Sequence, residues 1–149
     1  MRRLTLALPL AAAFLAAGCK TDPEEAKKKK VEEAKEEIRE LIDATIMAMQ
    51  QMKPEVYHAS LCETDRNRYP LETCKQDWEE NAQLIREQSG SLRLHTIAID
   101  KDDPNIASVV LDAPNHPNGK LLFTTIREYE KWKIQHPPFQ APKETATPK

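Results

Sequence analysis

The side chains able to form covalent or coordinate bonds in this chain are few: Cys19, Cys62 and Cys74, and the histidines His58, His95, His116 and His136. The histidines show neither an HxxxH nor an HExxH step, so no metal ligand is assigned. Gly18, Gly90 and Gly119 are the only glycines, too scattered for a phosphate-cradling loop, and there is no GxSxG elbow. No cofactor is implied. Cys19 closes a segment with the parts of a secretory signal: Arg2 and Arg3 as a positive start, an apolar stretch Leu4 to Leu15, and the small residues Ala16-Ala17-Gly18 before the cysteine. The apolar run is interrupted by Pro9 and is shorter than the roughly 20 residues of a spanning helix. Export leads to an oxidising compartment, where Cys62 and Cys74, separated by eleven residues, are expected to form a disulfide. Closing a loop of that size is worth about 3 kcal/mol. A zinc pair or a redox couple is the weaker reading, because neither a CxxC step nor a histidine at ligand spacing accompanies them.

The context Phe14-Leu15-Ala16-Ala17-Gly18-Cys19 resembles the lipobox of bacterial lipoproteins, although Ala16 stands where a branched residue is usual and Leu15 lies one step further out. That resemblance implies a diacylated Cys19 at the new N-terminus. Each buried acyl methylene adds about 0.8 kcal/mol of membrane affinity, so two or three chains make a stable anchor. Lys20 follows the cysteine. In lipoproteins of enteric type an Asp there favours the inner membrane, so Lys20 points to an outer membrane facing the periplasm.

Charge and composition exclude other partners. The formal charge is −2, and loss of Arg2 and Arg3 with the signal takes it to −4. With no basic excess and aromatics at only 5% of residues, neither nucleic acid nor a stacking platform for carbohydrate is indicated.

These residues must be positioned by a small domain. Residues 20–37 are nearly all charge and are read as a solvated helical stalk, with Asp22 as N-cap, Pro23 at the first position, Glu25 as capping-box acid, and Glu24–Lys28 and Glu25–Lys29 as pairs one turn apart. From Ile38 the same helix carries Leu41, Ile42, Ile46, Met49 and Met52 as one apolar stripe, until Pro54 breaks it. A short second helix leads into Cys62, and a third is expected from Pro70 to Gly90, with Leu71, Cys74, Trp78, Ala82 and Ile85 on one face. The period then shifts toward two. Strands are expected at Leu92–Ile99, Ile106–Leu111, Leu121–Arg127 and Trp132–Ile134, separated by Asp/Asn/Pro/Gly turns. The fold class is therefore α+β: a long N-terminal helix and two further helices packed on a curved antiparallel sheet of about four strands. A single domain spans 38–136, and the Pro- and Thr-rich stretch 137–149 is read as a disordered tail.

Helices followed by a meander that ends in Glu130-Lys131-Trp132-Lys133-Ile134 resemble the cone-shaped nuclear-transport-factor-2-like superfamily, and more closely its lumazine-binding-like domains of unknown function in bacterial lipoproteins. Those domains commonly close with a Gly-Lys-Trp-Lys-Ile hairpin, and here Glu130 replaces the glycine. The resemblance implies a sheet wrapped around helices with a pocket at the open end. Catalytic members place an Asp or Asp–His pair inside an apolar cone near a Tyr or a second acid. Asp43, Tyr57, His58, His95 and Tyr129 are the candidates, and none stands in a recognisable motif. Asp43 and His95 are expected to face outward. The expectation is thus a non-enzymatic accessory or binding module, held to the membrane through Cys19, that contacts an envelope protein or a small ligand. A small enzyme using the cone pocket and a spacer acting through the charged helix are the alternatives. An interior filled by Trp78, Trp132 and methionines favours the first, and an enclosed cavity with a buried ionisable group favours the second.

Overall fold

The structure, a computed structural model, describes residues 22–135; Cys19 with the expected signal, and residues 136–149 with the expected tail, lie outside the described residues. Five helices come first: α1 (Pro23–Gln50), α2 (Pro54–Ser60), α3 (Glu63–Arg68), α4 (Leu71–Glu80) and α5 (Ala82–Ser91). Four strands follow, β1 (Arg93–Ile99), β2 (Ile106–Asp112), β3 (Lys120–Glu128) and β4 (Lys131–Gln135), in an antiparallel sheet of order β1-β2-β3-β4. The α+β class is as expected, and no described helix is long and apolar enough to cross a membrane.

α1 begins where Asp22 accepts the Glu24 N–H at 3.0 Å and Pro23 occupies the first turn. Its first ten residues are almost wholly exposed. Burial starts at Ala34, one turn before Ile38, and continues through Ile42, Thr45, Ile46, Ala48 and Met49. Among the described residues the ion pairs within the helix are Lys29–Glu33, Lys35–Glu32 and Arg39–Glu36, not the expected Glu24–Lys28 and Glu25–Lys29, and Glu37 pairs with Arg127 of β3. The helix ends by a pair of reversed bonds, Lys53 N–H to the Ala48 carbonyl (2.8 Å) and Met52 N–H to the Met49 carbonyl (3.2 Å), with Met52 at φ 54°. This is the termination that glycine usually supplies.

The helical region has five pieces rather than three. The polar residues between the second and third expected helices fold into α3. The expected Pro70–Gly90 helix is interrupted at Asn81, whose side-chain amide donates to the Asp77 carbonyl (2.8 Å) alongside its own backbone N–H (3.0 Å), competing with helical continuation.

The sheet buries one face. Ile97↔Val109, Val109↔Phe123, Leu111↔Leu121 and Thr125↔Ile134 are cross-strand partners on that face, and α1 lies over it. Tyr57 of α2 packs on Trp78 of α4 with ring centroids 5.1 Å apart, closing the core beside the sheet. Ile38, Ile42, Leu61, Val109, Leu111 and Ile134 are fully enclosed. Each such aliphatic side chain contributes roughly 1.5–3 kcal/mol relative to exposure. The β4 edge is covered: Cys62 N–H donates to the Ile134 carbonyl at 2.8 Å, Leu61 bridges Ile134 in parallel, and Lys133 Nζ reaches the Ala59 carbonyl at 2.6 Å.

The β3–β4 hairpin turns on Tyr129 (φ 48°) and Glu130 (φ 64°), so Glu130 holds a left-handed backbone at the very position where the resembling hairpins carry glycine. A non-glycine residue there costs about 1–2 kcal/mol, part of which a glycine loses again to chain entropy. Glu130→Gly is therefore expected to stabilise the protein by about 0.5–1 kcal/mol, read as a rise in the urea midpoint at unchanged slope. An unchanged or lower midpoint refutes strain at this turn.

Candidate functional site

Two places gather chemistry-bearing side chains. The first is a trough of about 420 Å³ between α1 and β1, lined by Glu32, Lys35, Arg39 and Asp43 on the helix and by Leu94, His95, Thr96 and Ile97 on the strand. On α1 these charges fall at steps of three and four, along the flank of the apolar stripe. On β1 the pairing with β2 slips between Leu94 and Thr96, so His95 is the extra residue of a β-bulge. A bulge re-aims its side chain. His95 sits between Asp112, whose carboxylate oxygens lie 3.3 Å from Nδ1, and Lys120, whose Nζ lies 3.2 Å from Nε2. A lysine ammonium only donates, so in this arrangement Nε2 is the acceptor facing Lys120 and Nδ1 faces the Asp112 carboxylate. Lys35 is paired with Glu32 at 2.8 Å and Arg39 with Glu36, whereas Asp43 has no partner among the described residues. Chemically, the trough offers opposed charges and a strand edge to a polar occupant. Asp43 and His95 face outward, as expected.

The second place is a layer under α2, α3 and α4. Cys62 and Cys74, expected as a disulfide, are both fully buried and are two free thiols in the structure. Cys62 Sγ donates to Asp65 Oδ2 at 3.2 Å, and Asp65 is itself buried. Tyr69 donates its hydroxyl to Asp77 Oδ2 at 2.8 Å, and its carbonyl accepts from His58 Nε2 at 2.9 Å. His58 is thereby a structural clasp between α2 and the end of α3. Burial raises both thiols above the ordinary cysteine range, Cys74 to about 11. Such thiols are poor nucleophiles near neutrality.

Of the other candidates, Tyr57 belongs to the core, and Tyr129 lies on the hairpin turn, 84% exposed, donating to Glu63 at 3.2 Å. Asp43, Tyr57, His58, His95 and Tyr129 are thus spread over several surfaces. Among the described residues no three His, Cys, Asp or Glu side chains are placed to hold a metal ion. Lys35, Arg39, Asp112 and Lys120 were not distinguishable from other surface charges in the sequence. The bulge did leave a trace: the inward residues Leu92, Leu94, Ile97 and Ile99 step by two, three and two, one residue too many for a regular strand. No protein-family model matches the chain, and no curated protein matches it.

The thiol layer carries a pH dependence in the reduced protein. Because Cys74 binds its proton more tightly folded than unfolded, its contribution is complete below the unfolded value of about 8.5 and is lost as pH rises toward 11. Urea unfolding of the reduced chain is expected to show stability falling across that window, with a shallower fall in Cys74→Ala. An equal slope in the variant refutes the assignment.

Proposed function

We propose that this chain is a lipid-anchored accessory protein of the bacterial cell envelope, a non-enzymatic binding module carried on a charged helical stalk. Its fold is of the nuclear-transport-factor-2-like kind. The observation that carries the reading is the segment Phe14 to Cys19, a lipobox-like end to an apolar signal, followed directly by the charged run that begins α1. Acyl chains on Cys19 hold the N-terminus at the membrane, outer more than inner, and the exposed first three turns of α1 lift the domain from the lipid. Trp78, Trp132 and Met49, all buried in the core, support a binding role over chemistry in an enclosed cavity. The grooves at the surface are open to solvent and lined by charge, which suits recognition of a polypeptide or a polar ligand. In the oxidising compartment this reading implies, Cys62 and Cys74 form a cystine that staples the α2–α3 link to α4.

Two measurements test the address. Cells fed a palmitate analogue are expected to label the wild-type chain and to keep it in the membrane fraction, and Cys19→Ala is expected to abolish label and retention together. Intact mass of the non-reduced protein is expected to be lower by two hydrogens than that of the reduced one. An unlabelled chain that still begins at Met1 overturns the proposal.

A further inference from the structure

We infer that the trough between α1 and β1 receives an extended segment of a partner polypeptide as a fifth strand, an inference that rests on the binding role proposed above and gives it a location. The hydrogen-bond phase of the sheet leaves β1 equipped for it. Ala113 N–H donates to the Gly119 carbonyl (2.9 Å), so in β2 the residues Ala107, Val109 and Leu111 bond to β3. The intervening Ile106, Ser108 and Val110 bond to β1, in agreement with the Asp100 N–H to Ile106 carbonyl bond of 2.9 Å. Their β1 partners are Thr96 and Ala98, which leaves Ile97 and Ile99 with N–H and C=O directed away from β2. Among the described residues no strand pairs with that edge, whereas the opposite edge of the sheet is closed by Leu61 and Cys62.

The two walls of the trough run for the length of a short strand. From Glu32 to Asp43 the helix wall rises about 17 Å at 1.5 Å per residue, and the four lining residues of β1 extend about 13 Å at 3.3 Å each. Two walls of that length, with the backbone of a strand edge between them, suit an extended chain that adds to the edge.

Charge selects the occupant. Lys35 and Arg39 are neutralised by Glu32 and Glu36, so Asp43 is the wall's unpaired charge and calls for a Lys or Arg on the incoming segment. A second copy of β1 offers Arg93 as its base, and that guanidinium already donates to the Gly90 and Leu92 carbonyls at 3.1 and 2.6 Å. The chain's own residues 136–149 include Pro137, Pro138, Pro142 and Pro148, which have no N–H to give to a ladder. A partner segment with a base among strand-forming residues fits best.

The test uses the full chain in detergent and a phage-displayed library of random dodecapeptides. Selected peptides are expected to carry a Lys or Arg among β-branched residues and, when synthesised, to slow hydrogen exchange at the Ile97 and Ile99 amides. N-methylation of alternate peptide residues is expected to abolish binding in one of the two phases. Asp43→Lys is expected to weaken binding about three- to tenfold, with recovery when the peptide's base becomes Glu. No enrichment, binding indifferent to both N-methylation patterns, or protection away from β1 overturns the inference. So does protection of these amides without peptide, if it rises with protein concentration (a second copy) or disappears on removing residues 136–149 (the chain's own end). The tether is read separately by acyl labelling, so failure of the trough and failure of the envelope role are distinguishable.

Discussion

Everything in this fold depends on covering one apolar sheet face. The meander presents Leu94, Ile97, Val109, Leu111, Phe123 and Ile134 on a single side, and α1 lays Ile38, Ile42, Ile46 and Met49 across it. Neither surface is stable in water alone, since a twisted sheet of this size needs a partner layer and an amphipathic helix gains most of its stability from packing. The same contact positions the chemistry. Because α1 faces the core with its apolar stripe, its flanking charges Glu32, Lys35, Arg39 and Asp43 are brought alongside the β1 edge.

α1 therefore has two halves with separate physics. Residues before Ala34 are solvated and gain little from exposed ion pairs such as Lys29–Glu33, each worth at most about 1 kcal/mol. Residues after it are held by burial. The solvated half therefore extends the helix beyond the domain without adding to the core, and the buried half fixes its direction.

The helices α2, α3 and α4 act as a clamp on the other edge. The Cys62 N–H bond to Ile134, the Lys133 reach to Ala59 and the Tyr57–Trp78 contact tie this layer to β4 and α4. Within it, Cys62, Asp65, Cys74, Tyr69 and Asp77 form a polar layer whose thiols are kept protonated by burial. The two edges of the sheet thus differ: the β4 edge is closed by Leu61 and Cys62, and among the described residues no strand pairs with the β1 edge.

The α+β class, the long helix with its change of character near Ile38, the four strands and the Trp-Lys-Ile ending were legible in the residues, because periodicities of 3.6 and 2 are imposed by local geometry and by the need to bury one side. Asn81 splitting a helix was not, since its side-chain bond to the Asp77 carbonyl competes closely with helical continuation, and neither was α3, whose first N–H, that of Glu63, is met by the distant Glu128 carboxylate rather than by a local cap. The bulge at His95 lay in plain sight as an irregular step, yet its meaning came from Asp112 and Lys120, which are 17 and 25 residues away. Sequence alone determined which faces are apolar and where the helical period gives way to that of strands. Only the tertiary structure decided which charges share a trough, which strand edge stays open, and that the two thiols lie in one buried layer, because those are contacts between distant segments that no local pattern encodes.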